Sequence, residues 1–223
     1  MLFQGSALAQ PFPGRHQMPS VRAHTEVYLL RGLFNIFSLG MDELGRKLVN
    51  AGIRAKVINH TEWNAVASGI IDARRQGQGP SRLVLIGHSL GGNDVILLAE
   101  KLGRNGIAVD LLIPVDATAP PAVPANVIRA VNYFQSNNGF GSPLRPGQGF
   151  RGRLINADLA TNRRDLNSAE MGHTTIDKSP RIHAEIVGMV RGLQVPARRM
   201  AAKRAPNRPA PGAMPVPLRT AGR

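Results

Sequence analysis

A chain of 223 residues is long enough for one domain with a sizeable core, and 43% hydrophobic residues suit a globular protein. It holds no cysteine, which excludes disulfides, thiolate metal sites and a cysteine nucleophile, and no apolar run approaches the roughly 20 residues of a membrane span. The net charge of +14 is uneven: Arg198, Arg199, Lys203, Arg204, Arg208, Arg219 and Arg223 follow Pro196 without one acid among them.

Residues 1–24 carry Pro11, Pro13 and Pro19 and no periodic pattern, so they read as a leader. Leu2-Phe3-Gln4-Gly5-Ser6 resembles the scar of a cloning protease site. Ala7-Leu8-Ala9-Gln10 resembles the end of a secretory signal peptide, which points to export, with a cytoplasmic location as the alternative. Val27 to Leu30 then reads as a strand buried on both faces, ending at Arg31-Gly32-Leu33-Phe34. A helix is expected from about Gly40 to Ala51, capped by Ser38 and stopped by Gly52. Ala55–Asn59 is a second strand, and Thr61–Arg75 a second helix capped by Thr61.

The most informative stretch is Arg82 to Asn105. Leu83–Ile86 is an apolar strand, Gly87-His88-Ser89-Leu90-Gly91-Gly92 a sharp turn, and the following helix carries Val95, Leu98 and Leu102 on one face. Strand, turn and helix around G-x-S-x-G form a nucleophile elbow, in which Ser89 projects its hydroxyl above the sheet. The string lacks the lysine of a phosphate-binding loop and the spacing of a dinucleotide site.

Beyond it, Val109–Val115 is a fourth strand ending at Asp116, a short helix is expected near Ala125–Ala130, and Val131–Phe134 is a fifth strand. Asn137–Gln148 is loop-like, Leu154-Ile155 marks a last strand, and Ser179–Leu193 a final helix. Alternating strands and helices predict an α/β fold: a three-layer αβα sandwich with a mostly parallel central sheet and no large lid, over residues 25–195. Residues 196–223, rich in Pro and Ala, read as a disordered basic tail. Such a tail is solvated or docks on an anionic surface; no specific nucleic acid is expected as a partner.

A serine needs a base, and the base an acid to orient it. Only His173 and His183 follow Ser89 among six histidines. His173 lies in a loop before the last helix and is the expected base, whereas His183 lies beside that helix's apolar stripe. His88, inside the elbow, is expected to pack beside the site. Asp116, at a strand end, is the expected acid, with Asp158 and Asp165 as reserves. Asp110 and Asp94 read as a surface and a helix-start residue. Backbone N–H groups of Leu90 and Leu33, with Phe34 as the alternative to Leu33, would form the oxyanion hole. No cofactor is expected, and no His/Asp/Glu cluster has metal-ligand spacing.

Arg31-Gly32-Leu33-Phe34, GHSLGG at 87–92, Val115-Asp116-Ala117 and Gly172-His173 together resemble the α/β-hydrolase superfamily, in particular small bacterial lipase- or thioesterase-like serine hydrolases. The resemblance implies hydrolysis of an acyl ester or thioester, a small-molecule substrate, through an acyl-enzyme without a cofactor. Two other readings compete: a non-catalytic binding protein that keeps the elbow, and a surface- or polyanion-binding protein acting through its tail.

Overall fold

The computed structural model describes residues 24–33 and 39–194. The expected leader and basic tail, Phe34 and the Ser38 cap fall outside them. Six strands form one sheet: β1 (Thr25–Leu30), β2 (Arg54–Ile58), β3 (Arg82–His88), β4 (Leu111–Val115), β5 (Arg129–Phe134) and β6 (Arg153–Asp158). Their order is β2-β1-β3-β4-β5-β6, and every neighbouring pair runs parallel. Four helices accompany them: α1 (Leu39–Asn50), α2 (Trp63–Arg75), α3 (Leu90–Gly103) and α4 (Pro180–Gln194).

The central strand explains the layering. Successive side chains of a strand point to opposite faces. Val84 and Ile86 therefore join one core, with Met41, Leu44 and Leu48 of α1 and Ile182, Ile186 and Val190 of α4. Leu83 and Leu85 join the other, with Ala67, Ile70 and Ile71 of α2 and Val95, Leu98 and Leu102 of α3. Both faces of β3 must be apolar, hence its unbroken hydrophobic run. Each fully buried Leu, Ile or Val side chain stabilises the fold by roughly 1.5–3 kcal/mol, so the strand carrying the turn at Ser89 is firmly anchored.

Helix α1 stops as its sequence requires. Gly52 takes φ 75°, and the Ile53 amide returns to Leu48 O at 3.0 Å. Helix α2 starts two residues later than expected: Asn59, not Thr61, is the cap, and it serves a short 3₁₀ turn at His60–Glu62 by accepting from Thr61 N. The helix expected near Ala125–Ala130 is absent. Ile128 N bonds to Val109 O, and the Asn126 side chain donates to Ala99 O and Ile107 O. Tertiary partners thus hold this segment in turns that lead directly into β5. Asp110 is buried rather than on the surface, accepting from Leu83 N at 2.9 Å and from Arg82 at 2.7 Å.

Candidate active site

Gly32, Ser89, Asp116 and the loop that begins at Gln135 follow β1, β3, β4 and β5, so all lie beyond the carboxyl edge of the sheet, where a parallel α/β fold gathers its reactive groups. The turn at Ser89 is as tight as its glycines suggest. Ser89 has φ 57° and ψ −121°, a conformation that an L-residue holds only when its surroundings enforce it. Its amide donates to Val115 O at 3.0 Å. A Cβ on Gly87 would collide with the Gly91 carbonyl, one on Gly91 would lie 2.5 Å from the carbonyl oxygens of Leu30 and Arg31, and one on Gly92 2.9 Å from the Ala117 Cβ. Strand, turn and helix can meet only with side chains removed at these places.

Ser89 Oγ lies 2.9 Å from His173 Nε2, and His173 Nδ1 lies 2.7 Å from Asp116 Oδ2. Asp116 is fully buried and itself adopts φ 48°. Its other oxygen, Oδ1, accepts from Gln135 N at 3.1 Å, while Oδ2 also accepts from Asn138 Nδ2 at 2.7 Å. These donors satisfy the hydrogen-bonding capacity of a side chain that is shut off from water. The carboxylate accepts from Nδ1–H, which leaves Nε2 with a lone pair facing the serine hydroxyl.

The other candidates are placed as follows. Asp158 ends β6, and its oxygens accept from Ser136 N, Ala160 N and Thr161 Oγ1. Burial opposes its charge, but these bonds outweigh burial and hold the carboxyl below its usual range. Asp165 pairs on the surface with Arg163 at 2.8 Å. His183 is buried, donating from Nε2 to Asp177 O at 2.6 Å while Lys47 donates to its Nδ1 at 3.0 Å. Asp94 lies in α3 just past its first turn and pairs with His60 at 2.8 Å. Leu90 opens α3, so its amide belongs to the unbonded first turn of a helix. Leu33 lies in the turn after β1 and is 46% exposed. Beside it the Arg31 guanidinium clamps Asp42 with bonds of 2.9 and 2.6 Å, tying that turn to α1.

His88 packs beside the site, as its place in the elbow suggests, whereas reading the sequence missed Asp177, Asn138 and Phe140. His88 is 2% exposed, and its Nε2 donates to the backbone carbonyl of His173 at 2.8 Å. Burial pulls its pKa down to about 4, so it is neutral near pH 7. Asp177 Oδ2 lies 3.9 Å from His88 Nδ1 and accepts from Gly40 N at 3.1 Å. Its buried Oδ1 has no partner among the described residues, and burial pushes its pKa up to about 7. The loop after β5 matters as much. Asn138 Oδ1 accepts from Phe140 N and Gly141 N, and the Phe140 ring stacks on His173 with centroids 4.4 Å apart. A lone aromatic among Asn and Gly just past a strand end was the available clue.

Among the described residues no group of three or more His, Asp or Glu side chains is arranged to hold a metal, and no helix is long and apolar enough to cross a membrane. The all-parallel sheet, its strand order and the strained turn between β3 and α3 define a compact protein of the α/β-hydrolase fold. No family model and no curated protein matches the chain. Among solved structures it is similar to an alpha/beta-superfamily protein, named as a hydrolase, from Xanthomonas campestris pv. campestris. That match has 14% identity and a TM-score of 0.43 over 75% of this chain and 98% of the other. It is also similar to the NocB thioesterase domain from the nocardicin cluster, at 15% identity and a TM-score of 0.39 over 72% and 94% of the two chains. The chemistry rests on the site's own geometry.

Proposed function

We infer that the protein is a serine hydrolase that cleaves carboxylic ester or thioester bonds through an acyl-enzyme. The observation that carries this reading is the continuous chain from Ser89 Oγ through His173 to Asp116, with contacts of 2.9 and 2.7 Å. Ser89 is the nucleophile, His173 the base and Asp116 the residue that orients it.

His173 Nε2 takes the proton of Ser89 Oγ as the oxygen attacks the acyl carbonyl. The negative charge that develops on the carbonyl oxygen faces the N–H groups of Leu90 and Leu33. Asp116 holds the imidazolium, which then gives its proton to the departing alcohol or thiol. Water enters, His173 takes its proton, and a second tetrahedral intermediate collapses to the free acid and Ser89.

Labelling with a fluorophosphonate probe and peptide mass spectrometry tests this. An adduct on Ser89 that disappears in His173→Ala is the expected result. A folded wild-type protein that takes no label would overturn the reading and favour a binding protein that keeps the elbow.

A further inference from the structure

Resting on the hydrolase reading, we propose that Phe140 is a specificity-determining residue that recognises apolar, in particular aryl-bearing, leaving groups. Phe140 is 52% exposed, yet its position is fixed. Its amide donates to Asn138 Oδ1 at 2.9 Å, and Asn138 Nδ2 reaches Asp116 Oδ2 at 2.7 Å. A single asparagine therefore ties the carboxylate to the turn that lays the phenyl ring against His173, at 4.4 Å and 18° between planes.

The chemistry says what passes this ring. In acylation the imidazolium must hand its Nε2 proton to the leaving oxygen or sulfur, so the leaving group has to sit against His173. Phe140 covers the face of that same imidazole and keeps half its surface open. An apolar leaving group crossing the imidazole edge meets the phenyl ring, whereas a methoxy group is too short to gain from it. Stacked aromatic contacts add to simple burial.

The test is a pair of ester series on wild type, Phe140→Ala and Phe140→Trp. In the first series the acyl group is butanoyl and the leaving group is methanol or benzyl alcohol. In the second the leaving group is methanol and the acyl group is butanoyl or octanoyl. Because kcat/KM extends through acylation, it senses the leaving group, while a kcat limited by deacylation does not. We expect the benzyl-to-methyl ratio of kcat/KM to fall about tenfold in Phe140→Ala and to persist in Phe140→Trp, with the octanoyl-to-butanoyl ratio unmoved. An unmoved benzyl-to-methyl ratio, or a shift in the acyl ratio instead, overturns the inference. Fluorophosphonate labelling of the same samples separates the two levels. Labelled Ser89 with an unmoved leaving-group ratio removes the role of Phe140 alone, and an unlabelled, folded wild type removes the hydrolase reading and this inference with it.

Discussion

His88, the residue before Ser89, holds His173 from behind: its Nε2 donates to the His173 backbone carbonyl at 2.8 Å, across 85 residues of sequence. The elbow thus presents the serine and also braces the loop that brings the imidazole to it. Replacing His88 by Phe removes the donor and leaves a carbonyl unsatisfied beside a buried ring, a loss of about 1–3 kcal/mol. We expect His88→Phe to lower both the melting temperature and kcat, and His88→Gln, which retains a donor, to recover part of kcat. Thermal unfolding and ester kinetics on the two variants check this, and equal activity in both would remove the bracing role.

Ser89→Ala and His173→Ala are each expected to abolish measurable turnover with an unchanged circular dichroism spectrum. Asp116→Asn keeps the shape but lets the imidazole take the wrong tautomer, so kcat should fall by about three to four orders of magnitude. Near-normal turnover in Asp116→Asn would move the orienting role to another group.

Gly141 packs against the carboxylate: an added Cβ would overlap Asp116 Oδ1 and come within 3.1 Å of Gln135 N. Neither can retreat, because Asp116 is fully buried and the Gln135 amide is bonded to it. Gly141→Ala is therefore expected to displace the acid, cutting kcat by tenfold or more. Its effect on overall stability should be about 1–3 kcal/mol. A variant that keeps wild-type kcat would show that the loop yields freely.

Asp177 makes stability depend on pH in a definite direction. Its carboxyl faces Gly40 N from α1 and His88 from the elbow, and the charge of Lys178 partly offsets burial. Burial raises its pKa from 3.8 to about 7, so the folded state keeps a proton that the unfolded chain loses above pH 4. Its contribution to stability is complete below about pH 4 and is lost as the pH climbs to about 7. Asparagine mimics the protonated form at every pH. Asp177→Asn should melt several degrees above wild type at pH 8 and close to it at pH 4.5, measured by differential scanning calorimetry. The reverse order would mean that the carboxylate is stabilised in the folded protein.

His88 works in the opposite sense over nearly the same range. Its pKa falls from 6.5 to about 4 on burial, so the unfolded chain gains a proton first and stability declines as pH drops from 6.5 towards 4. Burial lowers His183 in the same way, and in Asp177→Asn no rise from the carboxyl offsets these declines. The melting temperature of that variant should fall steadily from pH 6.5 to 4, more steeply than in wild type.

The sheet and the turn at Ser89 are legible in the amino-acid pattern. An apolar run such as Leu83–Ile86 is buried on both faces wherever helices cover both sides, and Gly87 answers a clash with the Gly91 carbonyl only four residues on. Those demands are local, so they are written locally. Which groups meet is a matter of the folded chain. The strand end favoured Asp116 as the acid but left Asp158 and Asp165 in reserve; in the structure Asp158 is occupied by the turn that follows it, Asp165 by Arg163, and Asp116 faces His173. Asn138 and Phe140 sit in a loop with no period to betray them. The contacts that close the site span 57 residues from Asp116 to His173 and 84 from Ser89 to His173, and parallel strands with crossovers between them are what bring such distant positions to one edge.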